Sequence, residues 1–148
     1  MNLVELLRAD LKSPTIIDLL ELHEVDVVYD FDRLFEGQQD AYWASIHEEG
    51  LLFKFSEAQT LQTVFVYIRP TERFSPCDPS KYGVGSFDSV DEAESFAKDR
   101  GLQTTSRDLR PDGPNWILID FGSYSAHYQY SDSGLTLITL MVAEVVPG

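Results

Sequence analysis

The apolar positions of this chain fall into two helical stretches, a block of alternating segments, a third helical stretch and a second alternating block. Leu3, Leu6, Leu7 and Leu11 share one helical face. Asn2 with Glu5 three residues on forms a capping box, so a first helix is expected over 3–11. Ser13 and Pro14 are a helix start, Ser as N-cap and Pro at the first helical position. Ile16, Ile17, Leu19 and Leu20 then give the buried stripe of a second helix that ends near His23. Residues 25–31 read equally as strand or irregular segment, and 36–40 as loop. Segments 42–47, 51–55 and 61–68 are strands joined by short turns, a three-stranded antiparallel meander. Pro70, Pro76, Pro79, Gly83 and Gly85 mark a connector. Ser89 with Glu92 caps a third helix that turns Val90, Ala93, Phe96 and Ala97 inward and stops near Gly101. A polar loop over 102–114 leads to strands over 116–121, 123–130 and 135–145.

The order helix, loop, three strands therefore occurs twice. Each meander opens with a tryptophan, Trp43 or Trp116, and Phe53–Glu57 can be laid beside Tyr128–Asp132. The expected fold is α+β: two helix-plus-three-stranded antiparallel meander repeats forming one sheet, with helices packed on one side. A single domain spans 1–148, with one pseudo-repeat over 1–68, a connector over 69–85 and a second pseudo-repeat over 86–148.

Charge narrows the function. The 148 residues carry 25 acids and 11 bases, a net charge of −14. That argues against nucleic acid and against an anionic membrane surface, both of which select basic faces. No apolar run suits a membrane-spanning helix, and residues 1–20 show no apolar leader. The single cysteine, Cys77, gives no internal disulfide and no cysteine zinc site. The expectation is a cytoplasmic protein with no cofactor and no metal.

The acidity is uneven. Residues 1–50 hold twelve acids and three bases, a balance of −9. Eight of the acids and one base fall in 18–40, interleaved with Val25, Val27, Val28, Tyr29 and Phe31, so the segment reads as a folded face displaying carboxylates. Such a face either solubilises the chain or docks a basic partner, where opposite charge speeds association. The candidate partner-binding acids are Asp26, Asp30, Asp32, Glu36, Asp40, Glu48 and Glu49. Tyr29, Tyr42 and Trp43 are the candidate aromatic anchors.

Catalytic chemistry is sparse. The sequence lacks a phosphate-binding glycine loop, a nucleophile elbow, a His-Glu-x-x-His pair and a calcium loop. His47 and His127 fall in predicted strands, and with Asp120 they would form an acid–base or metal site if they met in one pocket. Cys77 lies beside Asp78, which works against a thiolate, and reads as an incidental loop cysteine. Of the aromatics that alternate along strands, such as Phe53, Phe55, Phe65, Tyr67 and Tyr128, one set suits the core. The other set suits an open sheet face or a platform for a protein partner.

The run Gly83–Glu94, leading into a short helix, Trp116, and the strand run Ala126–Met141 carry a family likeness. So do the N-terminal helices with the strand pair Gly50–Phe55 and Thr63–Tyr67. Together they resemble small bacterial immunity proteins that neutralise polymorphic toxins or bacteriocins. The helix-plus-meander repeat is also similar in architecture to the tandem units of β-lactamase inhibitor proteins. The resemblance implies a stoichiometric inhibitor of a cognate toxin domain in the cell that makes the toxin, with no catalytic residues. A nuclease toxin has a basic cleft, which an acidic inhibitor fits. The rival expectations are a general adaptor module without a toxin partner, and an enzyme using His47, His127 and Asp120. An open sheet edge would also allow a homodimer or strand addition.

Overall fold

A computed structural model describes residues 2–23, 26–30, 41–107 and 115–143, with backbone alone for 26–30 and Arg107. The expected loop over 36–40 and residues 108–114 of the expected loop over 102–114, and with them Asp32, Glu36 and Asp40, lie outside the described residues. The elements in chain order are α1 (Leu3–Leu6), α2 (Pro14–Glu21), β1 (Asp26–Asp30), β2 (Ala41–Ile46), β3 (Leu51–Phe55), β4 (Leu61–Tyr67), α3 (Val90–Asp99), β5 (Gln103–Arg107), β6 (Asn115–Asp120), β7 (Tyr124–Ser131) and β8 (Gly134–Val142). All eight strands join one antiparallel sheet in the order β1-β2-β3-β4-β8-β7-β6-β5. The α+β class is as expected. The strand order is not a simple meander, because β4 lies against β8 rather than against its successor.

Side chains alternate across a strand, so the register sorts the sheet into two faces. One row across the inner face runs Ala44, Phe53, Val64, Leu140, Ala126, Ile119. The next runs Ile46, Leu51, Val66, Ile138, Tyr128, Ile117. All twelve are buried and belong to one core cluster with Leu3, Leu6, Ile16, Leu19, Ala93 and Ala97 of the three helices. Each fully buried Leu, Ile or Phe side chain contributes roughly 1.5–3 kcal/mol.

The caps follow the sequence. The Ser13 side chain accepts from the Ile16 amide with Pro14 at the first position of α2, and the Ser89 side chain accepts from the Glu92 amide at the start of α3. The carboxylate of Glu92 reaches back to the Asp88 amide, one residue beyond the expected box partner. The first helix is shorter than the expected 3–11. It ends at Leu6 because strand partners compete for the following backbone. Arg8 N–H donates to Leu61 O (2.8 Å), Leu61 N–H to Ala9 O (2.8 Å) and Leu11 N–H to Gln59 O (2.7 Å). Arg8 takes a positive φ of 74° to make the change. In α2, Ile16 and Leu19 are buried but Ile17 is 39% exposed, since a step of one residue turns it about 100° off the stripe. Residues 103–107, expected as polar loop, form the edge strand β5. Gln103 to Ser106 are all exposed, so no apolar alternation announces the strand.

The connector over 69–85 is more than a linker. Phe74, Cys77, Tyr82 and Val84 are buried, and Pro79–Tyr82 forms a 3-10 turn. Cys77 is a loop cysteine, as expected, and it is packed into the core. Ser75 N–H donates to His47 O (2.9 Å) and Cys77 N–H to Tyr67 O (2.7 Å). This seats the connector on the turn between β2 and β3. Tyr128 and Tyr130 then donate their hydroxyls to Gly85 O (3.2 Å) and Phe87 O (2.9 Å), which fixes the approach to α3. Gly50 makes the seat possible. Its φ is +69°, and a Cβ there would run into the carbonyl oxygen of Ser75 and lie 2.9 Å from the Cys77 amide nitrogen.

Gly50→Ala is therefore expected to destabilise the protein by more than about 2 kcal/mol, from left-handed backbone strain plus loss of the connector seat. Gly101→Ala, at a similar φ of +68° but in open space, is expected to cost less, about 1 kcal/mol. Urea denaturation of both variants checks this, and equal losses would contradict the seat.

Candidate functional site

The outer face of the sheet carries no helix among the described residues. Its rows follow from the same register. One runs Trp43, Lys54, Thr63, Met141, Ser125, Asp120 and meets Gln103 at the β5 edge. The middle row runs Ser45, Leu52, Phe65, Thr139, His127, Leu118. A third holds Tyr67, Leu137, Gln129 and Trp116. The large apolar members are half-buried, while Ser45 and Thr139 are each only 8% exposed. The large neighbours therefore lean over the small polar residues between them.

Two aromatic stations stand apart on this face. In the first half, Trp43 stacks near Phe65 (6.2 Å between centroids) and the Lys54 ammonium lies 5.4 Å from the Trp43 ring. In the second half, Trp116 packs on His127 at 5.1 Å. Phe74 of the connector closes one end by stacking on Tyr67 (4.4 Å) and meeting His47 edge-on (5.0 Å). At the other end a cavity of about 790 Å³ is lined by Lys54, Thr63, Met141, Ser125, Asp120 and Gln103 among others. These residues come from six successive strands of the sheet, β3 to β5 in spatial order. The cavity therefore runs across that part of the outer face, walled by side chains of all six strands.

The described candidate residues read from charge, Asp26, Asp30, Glu48 and Glu49, are spread along the β1–β2 side. β1 is an edge strand whose Asp26, Tyr29 and Asp30 register with Ser45, Tyr42 and Ala41. Glu48 and Glu49 lie on the 3-10 turn after β2. The Glu48 carboxylate accepts from His23 Nδ1 at 2.8 Å. Glu49 is paired with Lys81 at 3.0 Å, and the lysine holds its carboxyl below the usual carboxylate range. The Tyr82 hydroxyl donates to Glu49 as well. Glu48 and Glu49 thus tie α2 and the connector to the turn, with Glu48 still well exposed. Trp43 stands on the outer face, whereas Tyr42, its neighbour on the strand, packs against the core.

Of the aromatics that alternate along strands, Phe53, Phe55, Tyr128 and Tyr130 are core, and Phe65 and Tyr67 are on the outer face. The pairing of Trp116 with His127, and the approach of Asp120, Gln103 and Lys54 to one cavity, were not legible in sequence. They depend on which strands neighbour one another. His47, His127 and Asp120 do not form one cluster. His47 packs on Phe74, His127 on Trp116, and Asp120 lines the cavity. Among the described residues no group of three His, Cys, Asp or Glu side chains is placed to hold a metal ion. No helix among them is long and apolar enough to cross a membrane.

Burial pushes the pKa of His127 below its ordinary value of 6.5. The unfolded chain then binds the proton more tightly. Stability due to neutral His127 is present above 6.5 and is lost as pH falls below it. Denaturation midpoints should therefore drop more steeply below pH 6.5 in the parent protein than in His127→Gln; parallel curves would contradict this. Burial, with Glu49 and Asp78 nearby, raises the Cys77 thiol from 9.0 to about 11. A two-unit rise means about a hundredfold less thiolate at neutral pH. A thiol reagent at pH 8 should thus react at least about tenfold faster with urea-unfolded than with native protein, and equal rates would contradict the burial.

No protein-family model matches the chain, and no curated protein or solved structure is detectably similar to it.

Proposed function

We propose that the chain is an immunity-type protein that neutralises a cognate, basic toxin domain of the nuclease class by stoichiometric binding, with the outer face of the sheet as its contact surface. The observation that carries this reading is the sheet face that bears no helix among the described residues, with Trp43, Phe65, Trp116 and Leu118 half-buried on it, in a chain of net charge −14. Protein interfaces combine an apolar, aromatic centre with a polar rim. Here the centre is the outer face. The rim includes Asp120 at one end, Glu48 at the turn and the β1 edge with Asp26 and Asp30.

Eight strands at about 4.8 Å spacing span about 34 Å, enough for the roughly 800 Å² per partner of a standard interface. Opposite charge accelerates capture by a basic domain, and desolvated tryptophans slow release. The same reading takes the two halves as tandem helix-plus-meander units joined in one sheet. The mirrored neighbour orders β1-β2-β3-β4 and β8-β7-β6-β5 support it.

The test is growth rescue. A toxin domain encoded beside this chain is expressed in a sensitive host with and without it. Rescue is expected from the parent protein. Trp43→Ala with Trp116→Ala should weaken binding by about 2 kcal/mol per tryptophan, enough to abolish rescue, with circular dichroism unchanged. Asp30→Lys with Asp32→Lys should weaken binding and flatten its salt dependence. Rescue and affinity unaffected by all four substitutions would remove this face from the account.

A further inference from the structure

The two edges of the sheet are not alike. β1 carries Asp26 and Asp30 within its five residues. β5 is the other terminal strand and pairs only with β6 among the described residues. Natural edge strands are kept from adding further strands by inward charges, prolines or bulges. Over Gln103, Thr104, Thr105 and Ser106 the strand has none of these, its one charge being Arg107 at the far end opposite Trp116, and the register with β6 runs without a shift. Thr is a good strand former and all four residues are exposed, so the edge is regular and open to solvent.

What flanks residues 103–106 on the α3 side is acidic. On the inner side α3 packs over β5 and β6, and the Ser106 hydroxyl donates to Glu94 at 3.4 Å. There a cavity of about 470 Å³ is lined by Asp88, Asp91, Glu94 and Asp132, with no Lys or Arg in its wall. On the outer side Gln103, Thr104 and Thr105 border the cavity that holds Asp120 on the neighbouring β6 and Lys54 on the distant β3. A strand added to β5 would therefore project alternate side chains toward Asp91 and Glu94 on one side and toward Asp120 on the other.

We propose that the β5 edge accepts an extended, cationic segment of the partner protein as an added antiparallel or parallel strand. This rests on the reading of the chain as a binder of a basic protein. Main-chain hydrogen bonds to β5 supply affinity, and arginine or lysine at alternate positions supplies specificity through Asp91, Glu94 and Asp120. A second copy of this chain is a poor occupant, because pairing β5 with itself brings two α3 acidic faces together.

The test uses the full chain, isotope-labelled, and a capped heptapeptide of alternating arginine and valine, followed by amide chemical shifts. The expected result is a set of shifts confined to 103–106, Asp120 and the first turns of α3, lost in high salt. Asp91→Asn with Glu94→Gln should weaken the peptide on the order of tenfold without unfolding the protein. The glutamate–valine peptide, or an arginine peptide with a central proline, should not bind. No shifts, or shifts centred on β1 or on Trp43, would overturn the inference. So would shifts at β5 that depend on protein concentration alone, which would mark self-pairing. Toxin rescue without a peptide footprint at β5 defeats this inference and leaves the neutralisation reading standing. A footprint at β5 without toxin rescue supports the edge and defeats neutralisation.

Discussion

The pairing of β4 with β8 holds the molecule together. These are the last strands of the chain's two β blocks, and their ladder from Thr63–Met141 to Tyr67–Leu137 joins four strands on each side into one sheet. Val64, Val66, Ile138 and Leu140, all on these two strands, sit at the middle of the core. Arg69, just past β4, reinforces the junction by donating to the backbone carbonyls of Ser133 and Leu135 at the β7–β8 turn. Without this junction each half would be a small sheet with one face exposed and little to bury it.

That the outer face bears no helix among the described residues follows from arithmetic of size. α1, α2 and α3 have 4, 8 and 10 residues, so their lengths are about 6, 12 and 15 Å. A sheet about 34 Å wide has two faces of that width. Three short helices and a folded connector suffice for one of them. The inner rows are accordingly dry, and the outer rows hold aromatic and aliphatic side chains that reach only half-burial. The functional reading grows from that imbalance. Half-buried tryptophans set among polar side chains in so acidic a chain suit a protein partner.

Much of this was legible in the sequence, and the misses have physical causes. The cap residues Ser13, Pro14 and Ser89 located α2 and α3, and alternation located β2, β3, β4, β6, β7 and β8 within a few residues. Local signals sufficed there because each element's own burial wrote its period. β5 was missed because an edge strand exposed on both faces has no period to show. The end of α1 was missed because residues 8–11 bond to Gln59 and Leu61, partners remote in sequence. Candidate site residues were read from charge density, which marks a segment but not a face. That is why Tyr42 and Trp43 were paired as anchors although adjacent strand residues point to opposite sides. The Trp116–His127 station needed the β6–β7 register to appear.

The central claim is that an acidic, half-covered sheet exists to hold one basic protein. The most direct measurement is co-purification of the chain from its native cells under a salt gradient, with the stoichiometry of what elutes. The account predicts a single basic partner at one-to-one ratio, retained at low salt and released only at high salt. A chain that elutes alone at low salt, or with a scatter of substoichiometric proteins, would contradict it.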